Sequence, residues 1–326
     1  GGFDLAAATA VAGAGALDEF AVLDLLDALV RKSLLVVDRS ARRAHYLMLE
    51  TIRQFAHGEL ATDTIDEIKD RHASYFADEA VNHFDLWLGP EQRRALDWVD
   101  SEFANLRAGF GWATDRSDLT TAAAIAAHTT LMASSLQRYE PVSWAEEILD
   151  PATDANLPWL PRLHTAARFC VFAGRADDSV AHAQRAVDLG GDPRCDPFED
   201  RWDLNIQSIA HLYQGEIDRC LEIYARLATQ PGLATVIGLT GQVFALPIAG
   251  RIEEAKALAE QALAAARNQE QPEWIAWALA VSGRVAADTD PVRALTILRD
   301  GLAYARDNRL HFIEAIIARD AAELEA

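Results

Sequence analysis

The chain is poor in cysteine, lysine and methionine. Only Cys170, Cys195 and Cys220 occur in 326 residues. Three cysteines so far apart build neither a disulfide framework nor a CxxC metal knuckle, and they read as small buried side chains in a reducing compartment. Lysine is confined to Lys32, Lys69 and Lys256, and 30 basic against 50 acidic residues leave a net charge of −20. A chain this acidic does not carry an electrostatic footprint for nucleic acid over its whole surface. No GxxxxGK[ST] loop, HExxH pair or GxSxG elbow is present, which removes the commonest phosphate-binding, metalloprotease and hydrolase signatures. Gly13-Ala14-Gly15 lacks the third glycine of a dinucleotide site. The chain starts Gly1-Gly2-Phe3 without a charged stretch ahead of an apolar one, so a signal peptide is not expected, and the reading is a cytoplasmic piece of a larger protein.

Two uncharged stretches, Leu119–Gln137 and Leu227–Gly250, are long enough to span a bilayer. The first holds His128 and a run of Thr and Ser; the second is broken by Pro231, Pro247 and several glycines. Both are expected to be buried helices, with no membrane contact.

In the first seventy residues, Leu17–Lys32 places Phe20, Leu23, Leu26 and Val30 at helical spacing behind Asp18 and Glu19. Leu34–Val37 and Ala44–Leu49 are short apolar runs around the charged turn Asp38–Arg43, the pattern of a β-hairpin. Glu50–Leu60 returns to helical spacing. Helix, helix, hairpin, helix is the outline of a winged helix. Arg31, Lys32, Arg39, Arg42, Arg43 and Arg53 make it locally basic and are the candidates for nucleic-acid or interdomain contact. The helix before the hairpin carries Asp18, Glu19, Asp24 and Asp27, however, and phosphates would repel it from a major groove. A packing module is favoured over a DNA reader.

From Ile65 onward the pattern is almost wholly helical. Four turns align, at Gly174-Arg175, Gly215-Glu216, Gly250-Arg251 and Thr289-Asp290, with spacings near the tetratricopeptide period. Five residues after each turn stand Ser179, Cys220, Ala255 and Ala294, and seven before stand Ala167, Ser208, Val243 and Ser282. Short side chains at fixed offsets let paired helices approach closely. The expected fold is therefore mainly α, a winged-helix module with a short β-hairpin followed by a tetratricopeptide-like solenoid. The expected domains are 1–64 for the winged helix, 65–156 for a helical adaptor or degenerate repeats, and 157–326 for the repeats. Trp87, Trp98 and Trp112 read as core anchors of the middle segment. Acidic residues at the start of each second helix (Asp177, Asp178, Glu216, Asp218, Glu253, Glu254, Asp290) read as dipole-complementing rather than metal-binding or catalytic.

Three stretches resemble one family: Gly1–Ala8, Leu25-Leu26-Asp27-Ala28-Leu29-Val30-Arg31-Lys32-Ser33-Leu34-Leu35, and Tyr46-Leu47-Met48-Leu49-Glu50-Thr51-Ile52-Arg53-Gln54-Phe55-Ala56. They look like the winged-helix segment that follows the nucleotide-binding domain in bacterial STAND regulators of the LuxR-type and AfsR-like kind. The resemblance implies an order of effector domain, P-loop ATPase, winged helix and tetratricopeptide-like sensor, of which this chain holds the last two. It implies ATP and Mg²⁺ in the parent protein and no cofactor in this chain. Where many relatives read Met-His-Asp, with the histidine facing nucleotide, this sequence reads Met48, Leu49 and Glu50.

In an array of this kind the first helix of each hairpin faces a groove. Counting back from the turns places His164, Asn205 and Thr240, then Arg168 and Phe244, then Trp202, along that groove. Its expected ligand is a protein, a peptide with an acidic end, or a small molecule; the parent's own ATPase domain is another expected partner. No catalytic or metal site is expected. The function read from the sequence is a non-enzymatic sensor region of a transcriptional regulator, with a DNA-binding winged helix or a self-associating scaffold as alternatives.

Overall fold

The computed structural model describes residues 2–13, 17–38, 44–196 and 202–325, with the backbone alone for Trp202 and Asp203. Arg39, Arg42 and Arg43 lie outside the described residues, as does the side chain of Trp202. The chain divides into two compact units, one made of residues 1–82 and 98–125 and the other of 83–97 and 126–326.

The first unit opens with α1 (Leu5–Ala12) and α2 (Glu19–Arg31), followed by β1 (Leu35–Asp38), β2 (His45–Met48) and α3 (Glu50–Glu59). Asp4 and Asp18 cap the two opening helices by accepting from the Ala7 and Ala21 amides. The strands pair antiparallel with Leu35 opposite Met48 and Val37 opposite Tyr46. Phe3 adds a bridge on the far side of Tyr46, which sequence spacing did not suggest. Ala8, Val22, Leu26, Leu35 and Tyr46 form the core beneath the hairpin. By contrast α3 buries no residue at all. The long helices α4 (Thr62–Trp87), α5 (Gln92–Asp115) and α6 (Leu119–Ser135) contribute to both units.

The second unit continues with α7 (Glu140–Asp154) and α8 (Leu160–Ala167), the latter prolonged by a 3-10 segment, Arg168–Ala173. Four hairpin partners follow in turn: α9 (Ala176–Leu189) after α8, α10 (Trp202–Tyr213) with α11 (Ile217–Ala228), α12 (Leu233–Ala245) with α13 (Ile252–Gln269), and α14 (Pro272–Ala286) with α15 (Pro291–Asp307). The closing helix is α16 (His311–Glu325). Each helix packs on the next, and α8, α10, α12, α14 and α16 also touch one another in succession, as in a helical-repeat solenoid. The small residues expected at helix contacts are buried: Ser179, Cys220, Ala255 and Ala294, and likewise Ala167, Ser208, Val243 and Ser282.

The three glycine turns share one geometry. Gly174, Gly215 and Gly250 have φ of +81°, +80° and +75°. The following amide of Arg175, Glu216 and Arg251 donates to the carbonyl five residues back, at Cys170, His211 and Leu246. This Schellman closure satisfies the last carbonyls of the first helix and reverses the chain. The turn at Thr289-Asp290 differs: Asp290 N–H donates to Ala286, four back, and the Asp290 carboxylate caps α15.

Trp87 is 1% exposed, as expected of a core anchor. Trp112 is not: it is only half-buried, its Nε1 donates to Asp70 at 2.7 Å, and Lys69 sits 4.4 Å above its ring. Among the described residues no helix is long and apolar enough to cross a membrane, and no cluster of His, Cys, Asp and Glu could hold a metal ion.

Candidate functional site

The first helices of the repeats converge on a cavity of about 140 Å³ that lies wholly within the second unit. Four of the six groove residues inferred from the sequence line it: Arg168, Asn205, Thr240 and Phe244. Their spacing explains this. Each lies six or ten residues before a turn, so each faces the same way from its own helix.

His164 is placed elsewhere. It sits half-buried between α8 and α9, its Nδ1 3.1 Å from Nδ1 of His182. Burial first, then the charges of His182 and Arg185, push its pKa down to about 4.

The cavity wall is mostly apolar, with a large aromatic share, and its polar groups are fewer. Arg168, 4% exposed, donates from Nε to the Thr165 carbonyl at 2.7 Å and lies 4.5 Å over the Phe169 ring. Asn205 accepts from the Tyr224 hydroxyl at 3.3 Å. Thr240 is 2% exposed, and its hydroxyl makes no hydrogen bond. A hydroxyl left without a partner is costly in a core.

Glu273 is the residue that counting offsets missed. It stands in the first turn of α14, where the sequence suggests only a helix-dipole partner. Its carboxylate accepts from Gln92 Nε2 at 3.0 Å and Ser135 Oγ at 3.2 Å, and its own amide donates to Gln92 Oε1 at 2.9 Å. No ion pair to it exists among the described residues. Burial pushes its pKa up to about 7, against the two hydrogen bonds that lower it.

The rim is a chain of rings. Tyr139 meets Phe172 at 5.2 Å, Phe172 meets Phe312 at 5.4 Å, Phe312 meets Trp277 at 6.0 Å, and Trp277 meets Phe244 at 6.4 Å between centroids. Phe312 comes from α16, a fifth inner helix that no glycine turn announces, since left-handed Arg309 (φ 58°) closes the helix before it.

The basic candidates of the first unit are spread along its surface. Arg31 pairs with Asp27 at 2.8 Å, and Arg53 grips both carboxylate oxygens of Glu50 at 2.6 and 2.8 Å. Lys32 is exposed. Leu49 is 57% exposed.

No family model matches the chain. Over 217 residues it is 32% identical to proteins of Mycobacterium bovis and Mycobacterium tuberculosis, each provisionally named an HTH-type transcriptional regulator. The alignment covers 59% of this chain and 23% of each relative, so the chain spans about a quarter of the length of the curated relatives it matches. A STAND protein from Pyrococcus horikoshii, a signal-transduction ATPase with a tetratricopeptide repeat sensor, aligns over 100% of this chain and 60% of its own at 12% identity. Its TM-score is 0.38, too low to bear on the reading.

Proposed function

We propose that this chain is the ligand-sensing and relay region of a multidomain bacterial transcriptional regulator. The helical repeats hold the ligand, and the first unit, read as a winged helix, passes occupancy to an ATPase domain in the rest of the protein, where ATP and Mg²⁺ are bound. The observation that carries the reading is the cavity lined by the 3-10 segment after α8, by α10, α12, α14 and α16, and by Trp87 of α4 and Leu131, Ser134 and Ser135 of α6. An occupant that fits one arrangement of these elements better than another supplies the differential affinity that a relay requires. The names of the mycobacterial relatives supply the regulatory context. In this reading the chain itself is not an enzyme, and its partners are the ligand and the parent's ATPase domain.

The test is reporter transcription in cells carrying the full-length regulator with or without residues 157–326. Loss of the response to the inducing condition is expected; an unchanged response would end the sensing role.

A second reading, DNA contact through Arg31, Lys32, Arg39, Arg42, Arg43 and Arg53, draws on the same relatives' names. Against it stand the pairings of Arg31 with Asp27 and Arg53 with Glu50, which cancel charge that phosphates would need. Titration of duplex DNA at low and moderate salt separates the two: binding that is absent at low salt eliminates DNA contact by this chain.

A further inference from the structure

The cavity's size limits what enters it. At about 140 Å³ it is close to the roughly 150 Å³ engineered apolar cavity that accepts benzene. One aromatic ring with a short arm fills that space.

Its chemistry narrows the class further. Trp87, Trp274, Trp277 and Phe244 line it, and aromatic faces attract cations. Within this wall Glu273 presents a carboxylate held by two neutral donors, Gln92 and Ser135, with no cationic partner among the described residues. Arg168, the cation that also lines the cavity, is not paired with Glu273; its Nε is taken up by the Thr165 carbonyl. The site thus has an acceptor without its positive charge and a ring-sized apolar chamber beside it.

We propose that the cavity binds a small aromatic amine, its ring among the indoles and its ammonium on the Glu273 carboxylate. This deepens the sensing role argued above and rests on it for its biological meaning, though not for the binding itself. With no cation beside it among the described residues, the half-buried Glu273 has a pKa raised to about 7 by desolvation. A bound ammonium supplies the missing charge and restores the ionised form.

The experiment is calorimetric titration of the whole chain with three probes of similar shape: phenethylamine, ethylbenzene and phenylacetate. Phenethylamine is expected to bind at least tenfold more tightly than ethylbenzene, with phenylacetate weakest. Glu273→Gln should remove the amine's advantage while leaving ethylbenzene unaffected. The wild-type comparison needs no variant, so a poorly folding Glu273→Gln protein does not blunt the test. Equal affinity for amine and hydrocarbon, preference for phenylacetate, or no binding of any probe at millimolar concentration each overturns the proposal. Amine binding in a regulator whose transcriptional response survives loss of the repeats would instead sink the sensing role and leave the site standing.

Discussion

Phe172 and Phe312, from the first and last inner elements of the array, meet edge to face with ring centroids 5.4 Å apart. Their contact closes the ring chain over the cavity, yet Phe172 remains 42% exposed. Such a pair contributes about 0.5–1.5 kcal/mol beyond its burial, so Phe312→Ala should lower stability modestly while baring Trp277 beneath. Acrylamide quenching of tryptophan fluorescence should rise in Phe312→Ala and the increase should vanish in a Trp277→Phe background. Unchanged quenching would mean that the rings do not cover the cavity.

Glu273 gives the fold an inverted pH dependence. Its folded pKa of about 7 lies above the ordinary glutamate value of 4.5, so the folded chain binds the proton more tightly than the unfolded one. The sign follows: this contribution is full below pH 4.5 and fades as pH rises towards 7, by an amount on the order of 2–3 kcal/mol. The neighbours facing the group are Ser135 and Gln92, both neutral. Glu273→Gln keeps an acceptor oxygen and cannot ionise, so thermal melts from pH 5 to 8 should show the variant gaining on wild type as pH rises. A constant difference across that range would refute the buried carboxyl.

The His164–His182 pair works in the opposite direction. With Nδ1 atoms 3.1 Å apart, one ring must donate and the other accept, which requires at least one neutral ring. His164 is depressed to about 4 and His182 is lowered chiefly by burial, with Glu146 and Asp178 raising it and Arg175 lowering it. The unfolded chain therefore binds more protons between pH 6.5 and 4, and stability falls as pH drops through that window. In wild type this partly offsets the Glu273 effect. His164→Gln should flatten the acid limb of the melting curve, and NMR titration of His164 should place its midpoint well below 6; a midpoint near 6.5 would contradict the burial.

The repeat register was legible because it is written in small residues. Ser179, Cys220, Ala255 and Ala294 recur for a steric reason, and the turn glycines mark backbone that other side chains resist. The same search for glycine failed where Ser117, Gln137, Asn156 and Arg309 take the left-handed conformation at helix ends, with φ between 53° and 59°. The helical pattern of Phe312–Ala326 is legible, but without a turn glycine before it the place of α16 and Phe312 among the inner helices is not. Trp87 was legible as buried but not as a cavity wall, since its place depends on α4 reaching the array, which no local pattern encodes. Glu273 was invisible for a different reason. An acid in a helix's first turn is ordinary, and only Gln92, far away in the sequence, reveals that this one is enclosed.

Glycines separate three physical roles that sequence alone cannot rank. Gly111 lies exposed in α5 with nothing near its missing side chain, so Gly111→Ala should stabilise by about 0.5–1 kcal/mol through helix propensity. Gly250 also has open space, but at φ +75° its alanine variant pays left-handed strain of about 1 kcal/mol. Gly238 is where α12 crosses α11, and a methyl there would collide with the backbone of Ala228 and Tyr224. Rigid backbone cannot yield as a side chain can, so Gly238→Ala should cost at least about 3 kcal/mol. Chemical denaturation of the three variants should therefore rank them Gly111→Ala above wild type, Gly250→Ala slightly below and Gly238→Ala far below. A Gly238→Ala protein as stable as Gly250→Ala would show that α11 and α12 do not approach closely, and the cavity-lining register of Thr240 and Phe244 would fail with them.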